Sequence, residues 1–379
     1  MLFRSSGIYL HIPFCKQACH YCNFHFSTSK KNKDIVIESM IKELEAKSKD
    51  NSDIIETIYF GGGTPSILSI SEINKFIKII YKNFKISENI EITLEANPED
   101  LSLDKVKELS LSSVNRLSIG IQSFNDTELK MMNRSHNSNQ SKNCIENASR
   151  YFDNLSIDLI YGMPNSNLKS WAKNLQMLES WEINHISAYA LTVESNTALK
   201  KFIEKEIIVP LDEQEVYDQY NFMFEKLSLS NYINYELSSF AKEGYFSKNN
   251  SSYWLGKKYI GIGPSAHSFD GKTRSWNISN NSQYVKHIGN NRLFYQNERL
   301  SKIDQYNEYV MTGLRTIWGV SLDQLEKKFG KKYSNHLLAK SKKFIDLKML
   351  EISDNIVFST RKGKFLSDGI ASELFIVNR

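Results

Sequence analysis

Two spacings of apolar residues alternate along the first half of the chain. Short apolar runs predict six strands, at 8–12, 57–61, 90–95, 116–122, 155–161 and 185–191. Apolar residues that recur every three or four positions predict helices between them, at 34–49, 71–84, 103–111, 138–151 and 168–181. Strands that alternate with helices form right-handed crossovers and a parallel sheet. Six such units are too few for a closed eight-stranded barrel, so the sequence predicts an α/β fold built as a partial (β/α)6 TIM-like barrel.

The pattern changes after residue 200. A helix at 211–229 precedes a stretch rich in Tyr, Ser and Gly at 232–263, which predicts irregular structure and short strands. Helices follow at 304–317, 321–329 and 333–347, and then two short strands at 350–353 and 356–359. Helices that lead into a hairpin resemble a winged-helix-like α+β domain. We therefore predict a barrel at 1–200, a connecting region at 201–300 and a C-terminal helical domain at 301–379.

Composition and charge indicate a folded globular protein and argue against a nucleic-acid-binding, membrane-spanning or secreted one. The chain of 379 residues is 41% apolar and 24% charged, as expected of a folded globular protein. Its net charge of +5 suits an anionic small ligand, but the lysines are scattered over helical faces, so nucleic acid is not expected as a partner. No apolar stretch is long enough for a transmembrane helix, and residues 1–7 lack the apolar core of a signal peptide. We expect a cytoplasmic protein, with transient membrane association at most.

The candidate chemistry is concentrated in three of the four cysteines. Cys15, Cys19 and Cys22 follow the first predicted strand with the spacing C-x3-C-x2-C, whereas Cys144 stands alone in a predicted helix as a small buried residue. A tight cluster argues for metal rather than for disulfides. Three thiolates on one loop can each bind one iron of a 4Fe–4S cluster, which leaves the fourth iron open to a ligand. A structural zinc site, completed by His20 or His25, is the alternative.

The cysteine spacing after the first strand of a partial barrel resembles the radical SAM superfamily, whose members bind S-adenosylmethionine (SAM) at such a cluster. The wider string Y-x-H-x-P-F-C at 9–15 is similar to the oxygen-independent coproporphyrinogen III oxidase-like group, which contains the HemN dehydrogenases and the HemW heme chaperones. Dehydrogenases of the HemN type carry one more cysteine two residues after the third, where this chain has Phe24. The pattern C-x2-C-x-F resembles the HemW heme chaperone family, and the resemblance covers nearly the whole chain.

The resemblance implies a set of SAM-binding residues at the strand ends. Glycines let backbone groups approach a ligand closely, and the family uses the loop F-G-G-G-T-P-S at 60–66 to contact the amino group of SAM, which implicates Gly62, Gly63 and Thr64. Glu95 ends the third predicted strand and is implied to accept hydrogen bonds from the ribose hydroxyls. The other implied contacts to SAM, or to a second SAM or substrate, are Tyr9, Tyr21, Gln122, Arg134, Asp158 and Ala190.

A second motif implies heme as cargo. Residues 249–254 resemble the H-N-x-x-Y-W motif of HemW, which is associated with heme binding, and Asn250, Tyr253 and Trp254 match it. Asn249 stands where the family has histidine, and asparagine is a poor ligand for iron. The axial ligand therefore stays open, and the remaining candidates are His267, His11 and His20.

Two functions remain in competition at this point. The leading hypothesis is a HemW-like heme chaperone that binds heme and passes it to an acceptor protein, which the sequence does not identify. The alternative is a radical SAM oxidoreductase that decarboxylates coproporphyrinogen III, with the reduced cluster and SAM generating a radical that abstracts hydrogen from a propionate. Phe24, in place of a fourth cysteine, makes that dehydrogenase activity doubtful. Both hypotheses require the 4Fe–4S cluster and SAM.

Overall fold

A computed structural model describes residues 5–49, 51–290 and 295–377. The strands are β1 (Ser5–Ile12), β2 (Ile54–Gly62), β3 (Lys85–Ala96), β4 (Arg116–Gln122), β5 (Leu155–Tyr161), β6 (His185–Ala190), β7 (Ile233–Asn234), β8 (Ser239–Ala241), β9 (Lys258–Ile262), β10 (His267–Phe269), β11 (Thr273–Asn277), β12 (Tyr295–Arg299), β13 (Val320–Ser321), β14 (Leu350–Ser353) and β15 (Ile356–Ser359). The α-helices are α1 (Lys33–Ser48), α2 (Ile70–Asn83), α3 (Leu103–Ser110), α4 (Asp126–Met131), α5 (Ser138–Ser149), α6 (Leu168–Glu179), α7 (Ala198–Glu204), α8 (Glu213–Leu229), α9 (Lys248–Trp254), α10 (Asn281–Gly289), α11 (Lys302–Leu314), α12 (Leu322–Phe329), α13 (Lys331–Asp346), α14 (Arg361–Phe365) and α15 (Ser367–Leu374).

Strands β1 to β6 lie side by side in chain order, and each is parallel to the next. This arrangement, with at least one helix between successive strands, confirms the predicted α/β fold. The sheet also continues past both ends of the predicted barrel. β9 pairs parallel to β1 and is followed by antiparallel β10, β11 and β12, while β8 and β7 extend the sheet beyond β6. In the described residues the sheet has twelve strands and stays open, because β12 and β7 are its two edges.

Local sequence explains where the second helix begins. The helix predicted at 71–84 begins at Ile70, because Ser69 caps it: the Ser69 hydroxyl accepts from the Glu72 backbone N–H, and the Glu72 carboxylate accepts from the Ser69 N–H. The predicted apolar stripe faces the sheet and is buried; it consists of Ile73, Phe76, Ile77 and Ile80. These side chains pack on the apolar residues of the strands, and together they form part of the main hydrophobic core.

The C-terminal part has its own core. Helices α11, α12, α13 and α15 pack with a three-stranded antiparallel sheet in the order β13-β15-β14. The strands predicted at 350–353 and 356–359 are found at those positions as β14 and β15. Several contacts tie this part to the barrel sheet. Among them, the Ile317 N–H donates to the Tyr235 carbonyl over 3.0 Å, and the Lys364 ammonium donates to the Asn234 side chain over 2.6 Å. The division at residues 200 and 300 stays a prediction.

Several shorter elements were not predicted, among them α4, α7, α10, α14 and α15. Another is helix α9, which lies inside the stretch that was expected to be irregular and carries the residues that resemble the heme motif. Within the described part of the chain, no helix combines the length and the apolar character that crossing a membrane requires.

Candidate functional site

The carboxyl ends of the parallel strands surround a cavity of about 470 Å³, which we call the cluster cavity. It is lined by the three clustered cysteines, by the glycine loop after β2 and by side chains from the ends of β3, β4, β5 and β6. The lining includes nearly all residues predicted for the cluster and for SAM, namely Cys15, Cys19, Cys22, Tyr21, Gly62, Gly63, Thr64, Glu95, Gln122, Arg134, Asp158 and Ala190. Residues far apart in sequence thus meet in one cavity, as the strand order requires.

The cysteine loop is held closed by backbone hydrogen bonds. The Cys15 N–H donates to the Ser27 carbonyl over 3.0 Å, and the Ser27 N–H donates back to Pro13 over 2.9 Å. Within the loop, the Cys22 N–H donates to the Cys19 carbonyl over 3.3 Å. These bonds fold residues 13–27 back on the end of β1 and hold the three sulfurs at one wall of the cavity.

The glycine loop lies directly against the cysteine loop. Gly63 donates its N–H to the Ile12 carbonyl over 2.9 Å, and a Cβ at Gly63 would come within 2.7 Å of the Phe14 carbonyl oxygen. Gly62 has φ +109°, a conformation that side chains disfavour. The Thr64 hydroxyl then reaches the Cys15 sulfur at 3.4 Å. Glycine is therefore required here for the close approach of the two loops.

Arg134 also contacts the cysteine loop. Its Nη1 lies 3.5 Å from the Cys19 sulfur and 3.4 Å from the Tyr21 hydroxyl. Its Nη2 donates to Asn97 Oδ1 over 2.7 Å and to the Gly120 carbonyl over 2.8 Å. The Nε atom is buried and has no hydrogen-bond partner among the described residues. Two fixed acceptors thus orient a cation beside the sulfur of Cys19.

Asn97 is a site residue that the sequence reasoning missed. Besides accepting from Arg134, its Nδ2 donates to the Thr64 hydroxyl over 3.3 Å, so it joins the guanidinium to the glycine loop. It lies two positions after Glu95, at the end of β3, and it lines the cluster cavity. The sequence did contain a signal for Asn97, because a polar residue that follows a parallel strand is a candidate for the site at the strand ends.

Two half-buried carboxyl groups, those of Glu95 and Asp158, form the floor of the cavity. Glu95 accepts from the Tyr59 hydroxyl over 2.7 Å and from the Gly62 N–H over 3.2 Å. Burial, reinforced by the charge of Asp158, outweighs these bonds and raises the pKa of Glu95 to about 7. Burial likewise raises the pKa of Asp158 to about 6, although Ser118 donates to it over 3.2 Å. Both carboxyls therefore change charge near neutral pH, where a cationic or hydroxyl-bearing ligand would favour the ionised form.

The cysteines fit a cluster by their chemistry. Soft thiolates are the ligands that iron–sulfur clusters use, and each thiolate binds a different iron. Burial raises the pKa of Cys15 to about 11, so this sulfur keeps its proton at neutral pH until a metal displaces it. A mononuclear zinc site needs ligands that converge on one ion. In residues 5–49, 51–290 and 295–377, no three His, Cys, Asp or Glu side chains are placed to hold one metal ion.

Tyr9 is the predicted SAM residue that does not line the cavity. Its hydroxyl lies 3.2 Å from His11 Nδ1, and its ring stacks on Tyr59 at 6.0 Å between centroids. Tyr59 in turn donates to Glu95. Tyr9 thus lies behind the floor of the cavity and supports the residues that form it.

The predicted heme-motif residues lie away from the cluster cavity, on α9 and around it. Asn249 is buried: its side chain accepts from the Thr57 hydroxyl over 3.2 Å, and its N–H donates to Glu91 over 3.0 Å. Tyr253 packs edge-on against Tyr259 at 4.7 Å between centroids. Asn249, the position of the family histidine, is therefore a structural residue in this chain.

Trp254 and Asn250 complete the motif. The guanidinium of Arg315, from the C-terminal part, lies 5.6 Å from the centre of the Trp254 ring. The Asn250 N–H donates to the hydroxyl of Ser247, which caps α9. The contact through Trp254 joins the barrel sheet to the C-terminal part of the chain.

The three histidine candidates for an axial ligand differ in availability. His11 is buried, with Nε2 at 2.9 Å from the His25 carbonyl, and burial lowers its pKa to about 4. His20 uses Nδ1 on the Met131 carbonyl at 2.8 Å. His267 is exposed and stacks on Trp276 at 5.8 Å between centroids. None of the three lines the cluster cavity.

Comparisons with known proteins agree with this geometry. Residues 9–178 match the model of the radical SAM superfamily, and residues 300–366 match that of the HemN C-terminal domain. The chain is 32% identical to the heme chaperone HemW of Bacillus subtilis, with 96% of this chain and 97% of the relative covered. HemW of Lactococcus lactis is 30% identical, with 99% of both chains covered. Among solved structures, coproporphyrinogen III oxidase (HemN) from Escherichia coli shares the fold, with a TM-score of 0.85 at 20% identity over 98% of this chain and 90% of that one.

Proposed function

Because the chain belongs to the HemW family and its first part matches the radical SAM superfamily, we propose that it is a heme chaperone, which binds heme and passes it to an acceptor protein. We also propose that Cys15, Cys19 and Cys22 hold a 4Fe–4S cluster and that SAM binds beside it. One observation carries the proposal: in a chain similar over its whole length to heme chaperones, the three cysteines and the glycine loop line one cavity. We place the activity in the cytoplasm, where thiols stay reduced.

The chain's own residues have distinct roles around the cluster. When bound, a 4Fe–4S cluster supplies an iron with a free coordination position and a one-electron redox centre. Thr64 and Arg134 donate toward two of the three sulfurs, which stabilises negative charge on them. Hydrogen bonds to cluster sulfurs tune the reduction potential, so these two residues tune the centre.

The other cavity residues suit SAM. Gly62 and Gly63 expose backbone beside the cysteines, where the amino group of SAM would lie. Glu95 and Asp158 offer carboxylate oxygens for the ribose hydroxyls and for the positive charge of the sulfonium. Tyr21, Gln122 and Ala190 complete the wall. The cavity volume of about 470 Å³ falls within the usual range for a small-molecule site, roughly 300–1,000 Å³.

Heme transfer is favoured over decarboxylation of coproporphyrinogen III. Phe24 occupies the position of the extra cysteine of the dehydrogenases, lines the cluster cavity and is 69% exposed. An apolar ring there cannot replace a thiolate as a ligand. The likeness to the solved HemN structure, at 20% identity, shows a shared fold and no shared activity.

The test uses the full chain, loaded anaerobically with iron and sulfide. We expect about four irons per chain, SAM binding, and a Soret band on titration with hemin. Apomyoglobin added to the hemin-loaded protein should then acquire heme faster than from buffer. Failure to develop a Soret band would overturn the heme assignment. Turnover of coproporphyrinogen III under the same conditions would replace the chaperone with an oxidoreductase.

A further inference from the structure

A second cavity, of about 840 Å³, lies between the barrel sheet and the C-terminal part of the chain. Its barrel wall comes from the ends of β5 and β6, from α8 and from the segment before β8; its other wall comes from the end of α13, from α14 and from α15. We call it the interface cavity. Tyr189, Ala190 and Thr192 line both cavities, so the end of β6 separates the interface cavity from the cluster cavity.

The wall of the interface cavity is apolar and aromatic over much of its surface. It includes Tyr189, Tyr220, Phe344, Leu347, Phe365 and Leu366. Three of these side chains are left accessible to solvent: Leu347 is 52% exposed, Leu366 45% and Tyr189 45%. Large apolar side chains gathered around one cavity mark a binding site, because a ligand that covers them removes apolar surface from water.

Of the charged groups in this wall, one cation has no carboxylate contact within the part of the chain that the structure describes. Lys343 is paired with Glu373, and Asp368 accepts from Arg315 Nε over 3.1 Å. Lys364 is 7% exposed, and its ammonium donates only to Asn234 in the described structure, at 2.6 Å to Oδ1 and 3.2 Å to the carbonyl.

Burial of this ammonium among neutral oxygens has a cost. Desolvation lowers the pKa of Lys364 to about 8, although the charge of Glu236 opposes this. A ligand carboxylate would restore the lost interaction, because a buried cation is stabilised by a charge partner within hydrogen-bond reach. The wall therefore combines an apolar, aromatic surface with one cation that contacts no carboxylate among the described residues.

We propose that the interface cavity is the heme site, with the macrocycle held between β6 and the C-terminal part and with a propionate on Lys364. This rests on the proposed function, which supplies heme as the ligand. A planar, largely apolar ring that carries carboxylates matches both features of the wall. The volume of about 840 Å³ lies in the upper part of the usual range for such ligands, roughly 300–1,000 Å³.

This location gives the α9 motif an indirect role. Trp254 lines neither cavity but contacts Arg315, and Arg315 holds Asp368 in the wall of the interface cavity. Trp254 is thus a positioning residue for the C-terminal wall. Heme bound there would share Tyr189 with the occupant of the cluster cavity, so the two ligands would be separated by one strand end.

The test titrates hemin into the cluster-loaded full chain and into four variants. Lys364→Met removes the cation, and Leu366→Asp places a charge in the apolar wall. Lys362→Met is the matched control on the same short helix, and Leu338→Asp is the exposed control on α13; neither residue lines the interface cavity. We expect each cavity variant to weaken hemin binding by roughly tenfold or more, and both controls to bind like the parent.

The outcomes separate the site from the function. Parent-like binding by Leu366→Asp would overturn the interface cavity as the heme site while leaving the chaperone function standing. Absence of hemin binding by the parent would overturn both. Because Lys364 is buried, Lys364→Met can fail to fold; a melting curve identifies that case, and Leu366→Asp then decides alone. Trp254→Phe tests the positioning role of Trp254. If this residue acts by holding the C-terminal wall in place, the variant should bind hemin more weakly and should also shift the Soret maximum, because the geometry of the interface cavity changes.

Discussion

The Nη1 atom of Arg134 lies 3.5 Å from the sulfur of Cys19. The same guanidinium is held by Asn97 and by the Gly120 carbonyl, so its position does not depend on the sulfur. With Cys19 as a proposed cluster ligand, this preoriented cation would stabilise negative charge added to the cluster, and reduction of a cluster adds one such charge.

The first prediction follows from this contact. Arg134→Gln should make the reduction potential of the bound cluster more negative by roughly 60 mV, which corresponds to a tenfold change in a one-electron equilibrium. The measurement is a redox titration followed by electron paramagnetic resonance. Arg150→Gln, at the exposed end of α5, is the control and should leave the potential unchanged. A potential that stays at the parent value in Arg134→Gln would contradict the charge role of Arg134.

The second prediction separates the clustered cysteines from the isolated one. Cys19→Ala should abolish cluster binding, because two thiolates do not hold a cubane. Cys144→Ala should keep full iron and sulfide content and lose only about 1 kcal/mol of unfolding free energy, because Cys144 is a buried packing residue. Iron and sulfide analysis, with thermal melts, checks both. Parent-like 4Fe–4S absorbance in Cys19→Ala would contradict the assignment.

The third prediction concerns the glycine loop. Gly62→Ala should weaken SAM binding by tenfold or more, since Gly62 has φ +109° and the new Cβ would lie 2.8 Å from the His11 ring. Gly244→Ala is the matched control: Gly244 also has a positive φ of +86°, but nothing lies within 4 Å of its Cβ position. It should lose about 1 kcal/mol of stability or more from backbone strain and keep its SAM affinity. Equal loss of SAM binding in both variants would show that strain alone explains the effect.

The sequence was most informative where burial is greatest. β4 and β5 are found at 116–122 and 155–161, as predicted, because nearly all of their residues are buried and Leu or Ile recurs along both strands. β3 begins at Lys85 rather than at 90, because its first half is polar and partly exposed and gives no apolar signal. The cysteine and glycine motifs likewise led directly to one cavity, since both follow parallel strands.

Tertiary contacts explain what the sequence did not show. α9 consists largely of Asn and Ser, which are poor helix formers; Ser247 caps it, and the Glu91 carboxylate accepts from the N–H groups of Lys248 and Asn249 at 2.9 and 3.0 Å. Glu91 is more than 150 positions away in the sequence, so no local pattern predicts this helix. The interface cavity also escaped prediction, because its two walls come from separate parts of the chain.

The fourth prediction is a pH dependence. Glu95 has a pKa raised to about 7, and the sulfonium of SAM favours its ionised form, so SAM binding should release a proton from this group. SAM affinity should therefore rise by up to roughly tenfold from pH 6 to pH 8, with Asp158, whose pKa is raised to about 6, contributing at the acidic end. Equilibrium binding across this range checks the profile. Glu95→Gln should flatten it above pH 7; a parent-like slope in that variant would assign the titration to another group.

The fifth prediction concerns the position of the family histidine. Asn249→His should not strengthen hemin binding, because Asn249 is 4% exposed, lies against Thr57 and lines neither cavity. The larger imidazole should instead overpack this site and reduce the unfolding free energy by about 1–3 kcal/mol. Asn250→His, one position along α9 and only partly buried, is the control and should be closer to the parent in stability. Hemin titration and thermal melts of both variants provide the test. Tighter hemin binding with a shifted Soret band in Asn249→His would mean that α9 rearranges to present this side chain to iron, which would also argue against the interface cavity as the heme site.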